Sequence, residues 1–319
     1  MDVWPYRSVG VTGGNGALGR RLVRQLLVRG VRRLVVFDQK PASSEELASR
    51  SGVIENVAGD ILSLPDLEQA LAGCSLVFHL AALTHAGRSR VEPSRYWDVN
   101  ALGTARVVEA CRRLGVPHLI YTSTAHVYGL PQRLPVDESH PTSPLSVYAA
   151  SKLAGETALQ GYAADFNMGT TIARLSNLYG GGLGALTVIG RAVKQAAEGG
   201  PIQLRNLSSV RDFVHLDDAV EGLLRLGALE AEPGRCQIVN VAGGAGISTG
   251  DMANKLAAVA ERQGRGVILI APLGEAVEER VPILILTNER LRELTGWAPS
   301  IELEEGLALA LQEYQLRTN

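Results

Sequence analysis

Tyr148 and Lys152, four residues apart in YAASKLAGE (148–156), are the pair in this chain best suited to moving a proton. On a helix, positions i and i+4 share a face, so the phenol and the ammonium can approach each other. A cation beside a phenol favours the phenolate and lowers its pKa. Upstream, TSTAHVYG (122–129) adds two hydroxyls, Ser123 and Thr124, at the expected carboxyl end of a strand. A hydroxyl, a phenol and an ammonium converging on one point make a proton relay for alcohol–ketone chemistry. The tyrosine takes or gives the proton, and the threonine holds the same oxygen. Tyr–Lys pairs also occur on helices that do no chemistry, so the reading depends on a hydride carrier bound alongside.

The amino-terminal segment supplies one. VTGGNGALGRRLV (11–23) places Gly13, Gly16 and Gly19 between an apolar strand and an amphipathic helix, with Ala17 and Leu18 opening that helix. Glycine there allows a tight turn, close backbone approach to a pyrophosphate, and close packing of helix on strand; the helix amino terminus faces the anion. Asp38 closes the next strand at the spacing of a carboxylate that binds the adenosine ribose, which favours NAD over NADP, with Lys40 the one nearby cation for a 2′-phosphate. Asp60 in VAGDI is placed to bond the adenine amine, with Ile61 against the ring, or else to cap the following turn. Leu80, Ala81 and Ala82, in FHLAA (78–82), end a strand with small residues that let backbone run beneath the ribose and pyrophosphate. Thr122 joins the cofactor contacts, as do Tyr148 and Lys152, and Thr84 the substrate contacts.

These residues need a frame that gathers strand ends. SVGVTG, RLVVFD, VIENVAGD, LVFHLAA and HLIYTST read as strands, with helical patterns between them at 17–29, about 64–72, 100–114 and 147–166. Such alternation implies parallel strands, right-handed crossovers and a doubly wound α/β sheet of the Rossmann kind. TTIARLSNLYG reads as one further buried strand. The expected organisation is a dinucleotide-binding domain over 1–178 that carries the catalytic residues. A smaller α/β substrate lobe over 179–319 interleaves with it.

With 46% apolar residues, 20% charged residues and a net charge of −2 over 319 residues, the composition is that of a soluble globular chain and excludes an electrostatic nucleic-acid binder. Arg20, Arg21, Arg24, Arg29, Arg32 and Arg33 read as one solvated helix face and its flank. Cys74, Cys111 and Cys236 match no metal or redox spacing and suit a reducing compartment. No run reaches membrane-spanning length and MDVWPYRSVGVTGG carries no signal-peptide pattern, so a cytoplasmic protein with no membrane partner and no metal is expected.

The chain resembles the extended short-chain dehydrogenase/reductase family, in its nucleotide-sugar epimerase and dehydratase branch. TGGNGALG, GDI, FHLAA, TSTAHVYG, YAASK, RLSNLYG, RDFVHLDDA and TGWAPSIELEEGL follow the family's order over almost the whole chain. The resemblance implies Tyr148 as catalytic base, Lys152 as its partner and Thr124 as the residue orienting the sugar hydroxyl. It implies Asn177 and Arg211 as contacts to the substrate diphosphate, against a strand-end cap for the first and an ion pair with Asp212 or Asp217 for the second. Asn100 either holds active-site backbone or caps a helix. The family commonly forms homodimers through the helices at 100–114 and 147–166, so Val107, Val108, Cys111, Leu153 and Ala154 are either interface or core.

Dehydratases of the family carry an Asp–Glu pair after the strand-end threonine; here Ala125–His126 stands there, His126 being either an acid/base or a packed loop residue. The expectation is an NAD-dependent epimerase of a nucleotide sugar, at C4. A net reductase or dehydrogenase of a keto sugar is the alternative, and a dinucleotide sensor without catalysis a third. QLRNLSSVRDF, the short NLYGGGLGALTVIG and EAVEERVPILILTNERL depart from the family pattern, with Arg280 near a second diphosphate arginine and Thr287 in place of an aspartate. These departures leave the nucleotide open.

Overall fold

The structure, a computed structural model, describes residues 4–40, 53–274 and 280–318. Residues 275–279 of the EAVEER segment therefore lie outside the described residues. Seven strands form the central sheet: β1 (Ser8–Thr12), β2 (Arg33–Asp38), β3 (Ile54–Ala58), β4 (Leu76–His79), β5 (His118–Thr124), β6 (Gly169–Leu175) and β10 (Cys236–Val241). Their order is β10-β6-β5-β4-β1-β2-β3. β1 lies between β2 and β4 and is parallel to both, with Val11 opposite Val36 on one side and Phe78 on the other. The winding therefore reverses between β1 and β4, and a crevice opens past their carboxyl ends, as the doubly wound reading requires. β5 and β6 are buried along their whole length, their Thr, Ser and Arg174 side chains included, so neither shows the in–out alternation of a half-buried strand.

The helices between the strands are α1 (Ala17–Val28), α2 (Leu64–Leu71), α3 (Thr104–Leu114) and α4 (Val147–Phe166). Leu67, Leu71, Val107, Val108, Cys111 and Leu159 join Phe37, Val77, Leu119 and Tyr121 in one core. Val107, Val108 and Cys111 have no exposed surface, so those three are core residues and leave the interface reading to others. α4 begins at Ser146, whose hydroxyl accepts the Ala149 amide at 3.1 Å, and stops at Asn167 in the left-handed region.

Two compact units divide the chain: Met1–Val127, Pro144–Arg174 and Val220–Val239 form one, and Tyr128–Ser143, Leu175–Ala219 and Asn240–Asn319 the other. In the second, β9 (Val210–His215) is central, parallel to β7 (Asn177–Tyr179) and β13 (Ile283–Leu284) and antiparallel to β11 (Gly246–Ser248). Its core gathers Tyr179, Ile189, Val193, Met252, Leu256, Leu307 and Leu311. TTIARLSNLYG is therefore two strands, not one: β6 belongs to the central sheet and β7 pairs with β9. Ser176 is the break, its amide spent on the Val241 carbonyl at 3.0 Å. Among the described residues, no helix is long and apolar enough to cross a membrane and no group of His, Cys, Asp or Glu could hold a metal ion.

Candidate active site

The glycine loop leaves β1 at Gly13, whose φ of +73° favours glycine. A Cβ there would sit 2.6 Å from the Ala81 amide nitrogen, so the backbone of Leu80 and Ala81, just past β4, runs directly against the loop. A Cβ on Gly19 would lie 2.6 Å from Gly14 Cα, which is how closely α1 packs onto the turn it follows. Gly16 caps α1 with no side-chain hydrogen bond, and no acidic residue stands in the first turn. The amino-terminal amides around Ala17 and Leu18 thus face a site that suits an anion. Asp38 ends β2 half-buried and accepts the Asn15 amide at 3.0 Å and the Lys40 amide at 3.3 Å. Its remaining lone pairs can take ribose hydroxyls.

Asp60 accepts the Leu62 amide at 3.0 Å, so the turn-capping option is realised. Ile61 is 5% exposed and packs against Gly103, which leaves it little surface for a ring. Thr122 donates to the His79 carbonyl at 3.2 Å. Asn100 is fully buried in a π-helical stretch, Trp97–Gly103, that leads into α3. Its amide grips Leu83 on both sides, accepting from the nitrogen at 2.8 Å and donating to the oxygen at 3.0 Å, with a further contact to Ser151 at 3.1 Å. It therefore holds backbone and caps no helix. Thr84, next along, is exposed.

At the end of β5 the Thr124 hydroxyl accepts the His126 amide at 3.3 Å, and it stands close enough to the Tyr148 phenol to draw its pKa down. Lys152 follows one turn along α4, 3% exposed, with Nζ 4.1 Å from the centre of the Tyr121 ring. Burial pushes Lys152 down to about 7, opposed by the charge of Glu156. The phenol does not behave as the spacing suggested: burial pushes Tyr148 up to about 12, and the nearby Thr124 hydroxyl only partly offsets this. The reason is geometric, since both groups are desolvated and the ammonium faces the Tyr121 ring. His126 is half-buried, its ring edge-on to Tyr148 with centroids 6.3 Å apart.

The substrate candidates of the second unit are anchored within it. Asn177 donates to the Asp212 carbonyl at 3.0 Å. Arg211 donates to the Val210 and Pro282 carbonyls at 2.8 and 3.1 Å, while Asp212, on the opposite strand face, accepts the amides of Gly243, Gly244 and Leu286. Strand alternation thus separates Arg211 from the Asp212 carboxylate it was weighed against. Thr287 accepts the Glu289 amide at 3.1 Å at the start of a helix, and Arg280 is exposed.

The NAD dependent epimerase/dehydratase family matches residues 9–242. A UDP-glucose 4-epimerase of Mycolicibacterium smegmatis is 32% identical over 96% of this chain and 97% of its own length. The chain belongs to that family. Similar proteins are also named for another reaction: a dTDP-glucose 4,6-dehydratase of Streptomyces griseus is 28% identical over 95% of this chain and 93% of its own length. The solved UDP-glucose 4-epimerase of Thermus thermophilus in complex with NAD superposes with a TM-score of 0.83 at 27% identity, over 97% of this chain and 99% of that one. The cofactor is NAD, and the Gly13 cradle, the uncapped α1 and Asp38 fit it.

Sequence reasoning missed part of what surrounds the relay. Ser123 does not join Thr124; it points to the other strand face and donates to Glu156 at 2.5 Å. Glu156, 1% exposed, is gripped by Arg174 from β6, with Nη2 at 2.6 Å. The signal was present, since Glu156 continues the four-residue spacing of Tyr148 and Lys152 along the same buried helix face.

Proposed function

We propose that this chain epimerises a nucleotide-activated sugar at C4, by oxidising the hydroxyl to a ketone and returning hydride to the opposite face. The observation that carries the reading is the buried Thr124 at the end of β5 beside the Tyr148 phenol, with Lys152 one turn on along α4, in the same unit as the glycine loop. Tyr148 Oη moves the proton of the sugar hydroxyl, and Thr124 Oγ1 holds that oxygen in line. Lys152, cationic below about 7, supplies the positive charge that a phenolate needs. NAD, when bound, accepts the hydride and gives it back. Ala125–His126 offers no paired carboxylates for expelling water, which favours epimerisation over dehydration. Asn177 and Arg211 are assigned to the substrate's diphosphate.

Denaturing the freshly purified protein and separating the released nucleotide by chromatography tests the reading. Near-stoichiometric NAD or NADH is expected, because a cofactor regenerated in every turnover need not leave. Release of NADPH, or of no nucleotide, would favour a net reductase that exchanges its cofactor.

A further inference from the structure

Below the relay lies a buried charge network that the chemistry above does not use. Glu156 accepts from Ser123 on β5 at 2.5 Å, and from Arg174 on β6 through Nε at 3.1 and 3.2 Å and through Nη2 at 2.6 Å. All four members are enclosed: Ser123 4%, Lys152 3%, Glu156 1% and Arg174 3% exposed. We infer that Glu156, pinned by Ser123 and Arg174, is a positioning residue that keeps Lys152 cationic and fixes the rotation of α4 under Tyr148.

Three observations support this. Ser123 adjoins Thr124 at the end of β5, and its hydroxyl bonds Glu156, so α4 is tied to the strand end two turns beyond Tyr148. Lys152 and Glu156 are i and i+4, the spacing at which side chains share a helix face. The Arg174 guanidinium and the Ser123 hydroxyl satisfy the Glu156 carboxylate from two strands, which fixes its position under α4. The groups that face this cluster are His79 on β4, Tyr121 on β5, Arg174 on β6, Cys236 on β10 and Tyr148 on α4. Burial depresses His79 to about 3 and raises Cys236 to about 11, so neither carries charge near neutral pH. Glu156 is thus the anion that offsets the desolvation of Lys152.

The role in turnover rests on the proposed Tyr148 chemistry; the effect on Lys152 can be measured without it. The chain has four lysines, Lys40, Lys152, Lys194 and Lys255, so selective 13Cε labelling and NMR give four titrations, with Lys152 assigned from Lys152→Met. In the NAD-loaded protein, Glu156→Gln is expected to lower the Lys152 midpoint by roughly one unit. Because Glu156→Gln strands Arg174, the neutral pair Glu156→Gln/Arg174→Gln is the second variant; its midpoint should fall between Glu156→Gln and the parent. A Lys152 midpoint unchanged in either folded variant overturns the inference. Turnover of Tyr148→Phe separates the two ideas. If that variant stays active, the catalytic reading fails while the titration still decides the role of Glu156.

Discussion

Lys152 and Tyr148 carry their shifts because a helix that is buried along most of its face brings both out of water. Between pH 7 and 10.5 the unfolded chain binds a proton on Lys152 that the folded chain lacks. Stability attributable to this residue therefore rises with pH through that window, and the whole cost of burying the ammonium is felt below 7. Lys152→Met should raise the melting temperature at pH 6 by more than at pH 10, while turnover falls. Calorimetry showing equal gains at the two pH values would contradict the buried ammonium. The same reasoning limits Tyr148: burial pushes its pKa up to about 12, so the phenol holds its proton across the physiological range.

At the scale of elements, the site depends on strand ends held by side chains from helices. Asn100 fixes the segment after β4 by satisfying both backbone groups of Leu83. Asn100→Leu keeps the volume and strands those groups, so it should cost on the order of 2 kcal/mol or more, read as a lower urea midpoint at unchanged m-value. A midpoint equal to the parent's would mean the clamp is idle. The glycine loop was legible in the sequence because its requirement is local: a turn with positive φ and a helix packed on that turn can be met only by small residues at fixed spacing. The break at Ser176 was not legible, since no Gly or Pro stands between TTIARL and NLY and only pairing with different sheets separates them. The π-helical stretch at Trp97–Gly103 was hidden likewise, because an extra residue per turn leaves an apolar pattern almost unchanged over so short a span.

For the whole molecule, the parallel doubly wound sheet followed from alternating periodicity, and so did the carboxyl edge where Thr124, Tyr148 and Lys152 gather; the strand order, with β10 at one edge, did not. What did not follow was the charge balance beneath them, because a buried ion pair depends on two residues, Glu156 and Arg174, brought together only by the crossover from α4 to β6. The central claim is that C4 is inverted by removing a hydride and giving the same one back. UDP-glucose deuterated at C4, the sugar nucleotide that similar 4-epimerases are named for, is the direct probe, followed by NMR and mass spectrometry in ordinary water. If the proposed reading holds, the C4-inverted product retains the deuterium at C4. Deuterium lost to solvent, label recovered on a released nicotinamide, or no inversion at C4 would contradict it.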